Sequence, residues 1–207
     1  LLVACMDDDD SNSGPEIVIL QIMTLEATNF IPGDPLTFNV VASPGSSGLE
    51  SFWIERNGDL LPADDFIWNG GFITEHPYTL DAFQVNGFNF RIKTVLPEVD
   101  NVETVYRVYA KDENDRTQYA EMIITMLPDS PEVNEVVFGE GGVLEGIKSG
   151  SIFVDMSTIA PSTARDVAVA MAEKGVEALD VGHHVQRVAL SHAFVGLAAE
   201  LLGVLVR

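Results

Sequence analysis

The chain has 207 residues, enough for one large domain or two small ones at roughly 100–200 residues per domain, and its 46% hydrophobic composition supplies a core and excludes disorder along the whole length. Eleven basic side chains stand against 32 acidic ones, a formal net charge of -21 that repels phosphate backbones and anionic lipid surfaces and excludes nucleic acid as a partner. One cysteine makes no internal disulfide, and no Cys/His spacing suggests a structural zinc site, so no metal is expected.

The chain opens Leu1-Leu2-Val3-Ala4-Cys5-Met6 and continues with Asp7, Asp8, Asp9 and Asp10. A short apolar run closed by a small residue and a cysteine is the pattern offered to a signal-processing enzyme. Leu2-Val3-Ala4-Cys5 resembles the lipobox of bacterial lipoproteins, and the acidic run after it resembles the export signal of Bacteroidota surface lipoproteins. That resemblance implies lipidation at Cys5, contact with a membrane only through this lipid anchor, and a place on the outer surface of the cell envelope. Four residues precede Cys5, fewer than a complete signal needs.

From residue 16 to 126 the sequence predicts about seven short strands, at 16–24, 36–42, 50–56, 72–80, 88–95, 102–110 and 118–126. Turn residues separate them: Pro32-Gly33-Asp34-Pro35, Gly45-Ser46-Ser47-Gly48, Asn57-Gly58, Asn69-Gly70-Gly71 and Asp112-Glu113-Asn114-Asp115. Asn57-Gly58 is the sharpest, because a type I′ hairpin needs positive φ at both central positions. Leu36, Phe38 and Val40 alternate as in a strand buried on one face. The spacing favours an antiparallel sandwich and the segment resembles Ig-like modules, with Trp53 expected as the core aromatic of the third strand. Chemistry is sparse. Ser46 and Ser47 lie in a hairpin loop rather than a nucleophile elbow, His76 lacks partners in metal spacing, and Asp112, Asn114 and Asp115 form a solvated turn in preference to a calcium site. Trp68, Phe72 and Tyr78 are either a ligand-binding rim or core.

Near Glu121 the character changes. The residues 122–127 are a nearly unbroken apolar run, as in a strand buried on both faces, and Pro128 closes it. A helix-like stretch from Asp129-Ser130-Pro131 follows, then Gly139, Gly141 and Gly142, a short helix, and a second buried strand at 150–155. Ser162 is expected as the N-cap of the next helix, Val167 and Met171 share its inner face, and Gly175 stops it before a third strand at 176–179. The order β-α-β-α-β implies a parallel sheet.

The runs Met-Leu-Pro-Asp-Ser-Pro-Glu-Val (126–133), Val-Phe-Gly-Glu-Gly-Gly-Val-Leu-Glu-Gly-Ile (137–147) and Gly-Ser-Ile-Phe-Val-Asp-Met-Ser-Thr-Ile-Ala-Pro-Ser-Thr-Ala (150–164) resemble the β-hydroxyacid dehydrogenases, in the branch of 3-hydroxyisobutyrate dehydrogenase and tartronate semialdehyde reductase. The resemblance spans about sixty residues and implies that Leu127, Pro128 and Thr158 line an NAD(P) cleft beyond the carboxyl ends of the strands. Three departures accompany it. No G-x-G-x-x-G turn is present, the sequence after Asp180 reads Val181-Gly182-His183-His184 where the family has Ala-Pro-Val-Ser-Gly-Gly, and the catalytic lysine has no counterpart.

Residues 181–207 place Val185, Val188, Ala189, His192, Val195, Ala199 and Leu202 on one helical stripe, an apolar C-terminal helix broken too often by charge to span a membrane. His184-Val185-x-Arg187-Val188-Ala189 resembles the first helix of HD-type phosphohydrolases, whose later His-Asp pair does not follow.

The expected fold is therefore mixed, an antiparallel Ig-like β-sandwich followed by a partial Rossmann-type α/β segment and a C-terminal helix. The expected domains are a lipoprotein signal remnant and acidic linker at 1–15, the sandwich at 16–126, the dinucleotide-binding segment at 127–180 and the helix at 181–207. The leading expectation is a non-catalytic envelope lipoprotein-like binding or structural module that takes an envelope protein or glycan, binds no cofactor and is no enzyme. The alternative is an NAD(P)-binding fragment of a cytoplasmic 3-hydroxyisobutyrate dehydrogenase-like oxidoreductase.

Overall fold

The computed structural model describes residues 13–22, 33–68, 75–96 and 102–181. Cys5, the Asn69-Gly70-Gly71 turn, Phe72 and the expected C-terminal helix from residue 182 onward lie outside the described residues. The fold is mixed and rich in β structure, and among the described residues the helices lie between residues 130 and 173. Two compact units divide it: Leu1–Thr24, Pro35–Val95 and Tyr106–Ala120 make the first, and Leu25–Asp34, Leu96–Val105 and Glu121–Arg207 the second.

In the first unit β1 (Glu16–Ile22), β2 (Pro35–Ser43), β5 (Ile67–Trp68) and β7 (Phe88–Val95) form an antiparallel sheet of order β1-β2-β7-β5. A second set of antiparallel strands joins β3 (Leu49–Arg56) to β4 (Asp59–Leu60), to β6 (Tyr78–Thr79) and to β8 (Val102–Asp112). Asn57 and Gly58 turn β3 into β4 at φ 55° and 86°, as the hairpin requires. Alternation in β2 and β7 sends Phe38, Val40, Phe90 and Ile92 inward. Phe52 meets Phe88 and Phe90 edge-on, with centroids 5.7 and 5.4 Å apart.

Phe52, not Trp53, is the core aromatic of β3. Side chains two apart share a face, so the burial of Phe52 and Ile54 turns Trp53 outward. There Trp53 stacks on Tyr109 at 4.8 Å and donates from Nε1 to Glu55. The Gly45-Ser46-Ser47-Gly48 loop is held by Ser46, whose backbone N–H and hydroxyl both donate to the Ser13 carbonyl; a Cβ on Gly45 would strike that carbonyl. Asp112 is not part of a solvated turn. It is fully buried, its Oδ1 accepting the N–H groups of Asn114 and Arg116 and its Oδ2 that of Arg116 Nε at 2.8 Å. Burial resists ionisation of this carboxyl, but the bonds from Arg116 and Asn114 outweigh it and hold it below the usual range.

The second unit is built on three parallel strands, the C-terminal half of β9 (Thr117–Met126), then β10 (Ile152–Asp155) and β11 (Glu177–Asp180). Helix α1 (Ser130–Phe138) starts at Asp129, whose Oδ1 caps the Ser130 N–H, with proline in the first turn. Short α2 (Val143–Gly146) leads to β10, and α3 (Pro161–Glu173) leads to β11. The N-cap of α3 is Ala160, not Ser162, because Pro161 takes the first helical position that its fixed φ suits. Gly175 ends α3 in the left-handed region at φ 71°. Val133 and Val137 of α1 and Val167 and Met171 of α3 pack on Ile123 and Phe153 of the sheet. Phe153 is fully buried, a burial that stabilises by roughly 1.5–3 kcal/mol.

Candidate functional site

Parallel register and the two-residue period of strands place matched rows of side chains across β9, β10 and β11. Ile123, Phe153 and Ala178 stand in register as an apolar row. Two residues further along, on the same face, stand Thr125, Asp155 and Asp180. The second row is polar and sits at the carboxyl ends of the strands, where open parallel sheets bind ligands.

Asp155 is the centre of this row. It is 2% exposed, and its Oδ1 accepts from the Thr125 hydroxyl at 3.0 Å and from the Ser157 N–H at 2.9 Å. Burial raises its pKa above the usual carboxylate range, against the bonds from Ser157 and Thr125, and the charge of Asp180 adds to the rise. Ser157 Oγ accepts the Leu127 N–H at 2.9 Å, which ties the end of β9 to the loop after β10. A further tie runs from the Ala160 N–H to the Ser130 hydroxyl at 2.9 Å.

The sequence-predicted cleft residues lie around this network. Leu127 is partly buried against the unit's core, while Pro128 and Thr158 are exposed, all three in the loops just beyond the carboxyl ends of β9 and β10. A cavity of about 10 Å³, lined in part by Asp155, Asp180, Phe153 and Ala164, opens between β10, β11 and α3, and is about the size of one water molecule. Thr125, Asp155, Ser157 and Asp180 were not singled out from sequence, although a carboxylate ending the otherwise apolar run Ile152-Phe153-Val154-Asp155 is the signal that marks them.

Gly139, Gly141 and Gly142 serve the turn between α1 and α2. A Cβ at Gly139 would strike the Glu135 carbonyl and one at Gly142 the Val136 carbonyl, so close approach within the turn demands them there. His76 is a structural histidine: Nε2 accepts the Ile54 N–H at 2.9 Å, Nδ1 faces the Leu61 carbonyl at 2.5 Å, and Phe66 lies edge-on at 5.0 Å. Burial lowers its pKa. Among the described residues no group of three or more His, Cys, Asp or Glu could hold a metal ion, and no helix is long and apolar enough to cross a membrane.

A helix-backed parallel sheet with a polar row and exposed loops at its carboxyl ends defines an α/β unit, and those strand ends are where open sheets usually take ligands. The chain belongs to the family described as the NAD binding domain of 6-phosphogluconate dehydrogenase, whose model matches residues 79–183, just over half of the chain. The match begins within the strand-rich unit and so runs wider than the window of about sixty residues marked by the motifs.

Two relatives show the same kinship. A 2-hydroxy-3-oxopropionate reductase of Escherichia coli is 32% identical over 94 residues, 45% of this chain and 32% of that protein. A 3-hydroxyisobutyrate dehydrogenase of Pseudomonas aeruginosa is 44% identical over 61 residues, 30% of this chain and 20% of that protein. The chain spans between about a fifth and a third of the length of the curated relatives it matches. Among solved structures, a conjugative transposon lipoprotein from Bacteroides eggerthii matches with a TM-score of 0.37 at 11% identity, over 54% of this chain and 97% of that one, too distant to carry an argument.

These findings overturn the leading expectation. A non-catalytic envelope lipoprotein-like module is replaced by an oxidoreductase-family segment, because the family and the relatives are dehydrogenases and reductases. The expectation of no cofactor falls with it, since the family is one of NAD binding domains.

Proposed function

We propose that the second unit is the NAD(P)-binding part of a dehydrogenase of the β-hydroxyacid type, with Leu127, Pro128 and Thr158 against the dinucleotide. One observation carries this reading. The loops holding those three residues lie at the carboxyl ends of adjacent parallel strands, β9 and β10, and a hydrogen bond from Leu127 to Ser157 fixes them to each other. The family and the named relatives support it.

The donor set fits one portion of the cofactor better than the rest. Leu127 and Pro128 supply apolar contact and Thr158 a hydroxyl, which suit a sugar and a ring. A pyrophosphate needs backbone amides in a glycine-rich bend, and Gly139, Gly141 and Gly142 are committed to the α1–α2 turn. When bound, NAD(P) would supply hydride transfer. The chain's own residues hold its nucleoside side at the strand ends and exclude water from the buried row beneath. The sequence after Asp180, Val181-Gly182-His183-His184, departs from the family's substrate loop, and the function proposed for this unit is cofactor binding.

Fluorescence titration of the full chain with NADH and NADPH tests the reading. Saturable binding in the micromolar to low millimolar range is the expected result, weakened several-fold by Thr158→Val. A signal that rises linearly with either nucleotide, unaffected by the substitution, would overturn it.

A further inference from the structure

The polar row holds a group that the proposed cofactor contacts do not use. Asp155 has one oxygen committed to Thr125 and Ser157, while its Oδ2 is buried with no hydrogen-bond partner. A buried carboxyl with an unmet oxygen costs free energy, and an apolar residue such as the valine before it would fill the same space without that penalty. The cavity beside it has room for about one water molecule. No part of a dinucleotide fits there, so any influence of Asp155 on a bound cofactor passes through its neighbours. The connection is short: Asp155 accepts from Ser157, and Ser157 accepts from Leu127.

We infer that Asp155 is a positioning residue of the cofactor cleft, which orients Ser157 and thereby sets the spacing between the Leu127-Pro128 loop and the Ser157-Thr158 loop. The inference rests on the cofactor reading given above. Thr125 completes the arrangement by fixing the carboxyl from the neighbouring strand at 3.0 Å.

The test uses the full chain as wild type, Asp155→Asn, Asp155→Ala, Ser157→Ala and the double alanine variant. Asparagine keeps an acceptor oxygen for Thr125 and Ser157 in the same shape, whereas alanine removes it. The two readouts are the exchange rate of the Leu127 amide by NMR, measured without nucleotide, and the dissociation constant for NADH. Asp155→Ala and Ser157→Ala are each expected to speed Leu127 exchange and weaken NADH by about tenfold, the worth of one such hydrogen bond. The double variant should be no worse than either single one, and Asp155→Asn should restore both readouts to near the wild-type values. Should Asp155→Ala not fold, Ser157→Ala and Asp155→Asn decide the matter, since the first must lose and the second must keep both properties. Unchanged Leu127 exchange in the alanine variants, with NADH still bound, overturns the positioning role and leaves the cofactor reading intact. Release of Leu127 while no form binds NADH overturns the cofactor reading and, with it, the role assigned to Asp155.

Discussion

His76 illustrates how a single side chain in this protein couples structure to pH. Both ring nitrogens are engaged, one accepting the Ile54 N–H and one facing the Leu61 carbonyl, so the neutral ring is the one the fold holds. Burial lowers its pKa from the ordinary 6.5, which means that the unfolded chain takes up a proton at a pH where the folded chain does not. Stability from this residue is complete above the ordinary value and declines as the pH falls through the lower, folded one. Urea unfolding at pH values on either side of that window should show a lower midpoint on the acid side, and His76→Asn should flatten the dependence. Equal slopes in both proteins would assign the pH dependence elsewhere. Asp155 behaves in the opposite sense. Its pKa is raised, so its contribution is complete in acid and declines as the pH rises through the folded value.

At the level of elements, the second unit depends on a small apolar cluster beneath two helices. Phe153 is fully buried at its centre, among Ile123, Val137, Val167 and Met171. Phe153→Ala should destabilise the unit by about 3–5 kcal/mol, read as a loss of amide protection in α1 and α3; full protection there would mean that the helices do not depend on this contact. Much of this level was legible in the sequence. The β-type run at 88–95 marked β7 to its ends, and Asn57-Gly58 marked the β3–β4 hairpin through positive φ. Trp53 was misread because Phe52 and Trp53 are adjacent and period two permits either face. The choice is made by Phe88 and Phe90, far away in sequence. Leu127, Pro128 and Thr158 could be placed from a motif, whereas Asp155 read only as the last residue of a buried strand, with no role of its own. Its burial depends on α3 and on β11, neither of which its local sequence reveals.

Across the whole molecule the dominant feature is charge. A formal net charge of -21 opposes the approach of an anionic dinucleotide, and the effect is long in range at low salt. Raising the ionic strength shortens the Debye length from about 30 Å at 0.01 M to about 8 Å at 0.15 M, so NADH affinity should improve with salt over that range. A fall in affinity with salt would point instead to a cluster of cations at the site. In the proposed complex the dinucleotide lies on the loops at the carboxyl ends of β9 and β10. Amide chemical-shift mapping of the full chain during an NADH titration tests it most directly. Saturable shifts concentrated at Leu127, Ser157 and Thr158 are expected; saturable shifts confined to the strand-rich unit, or none at any concentration, would rule this placement out.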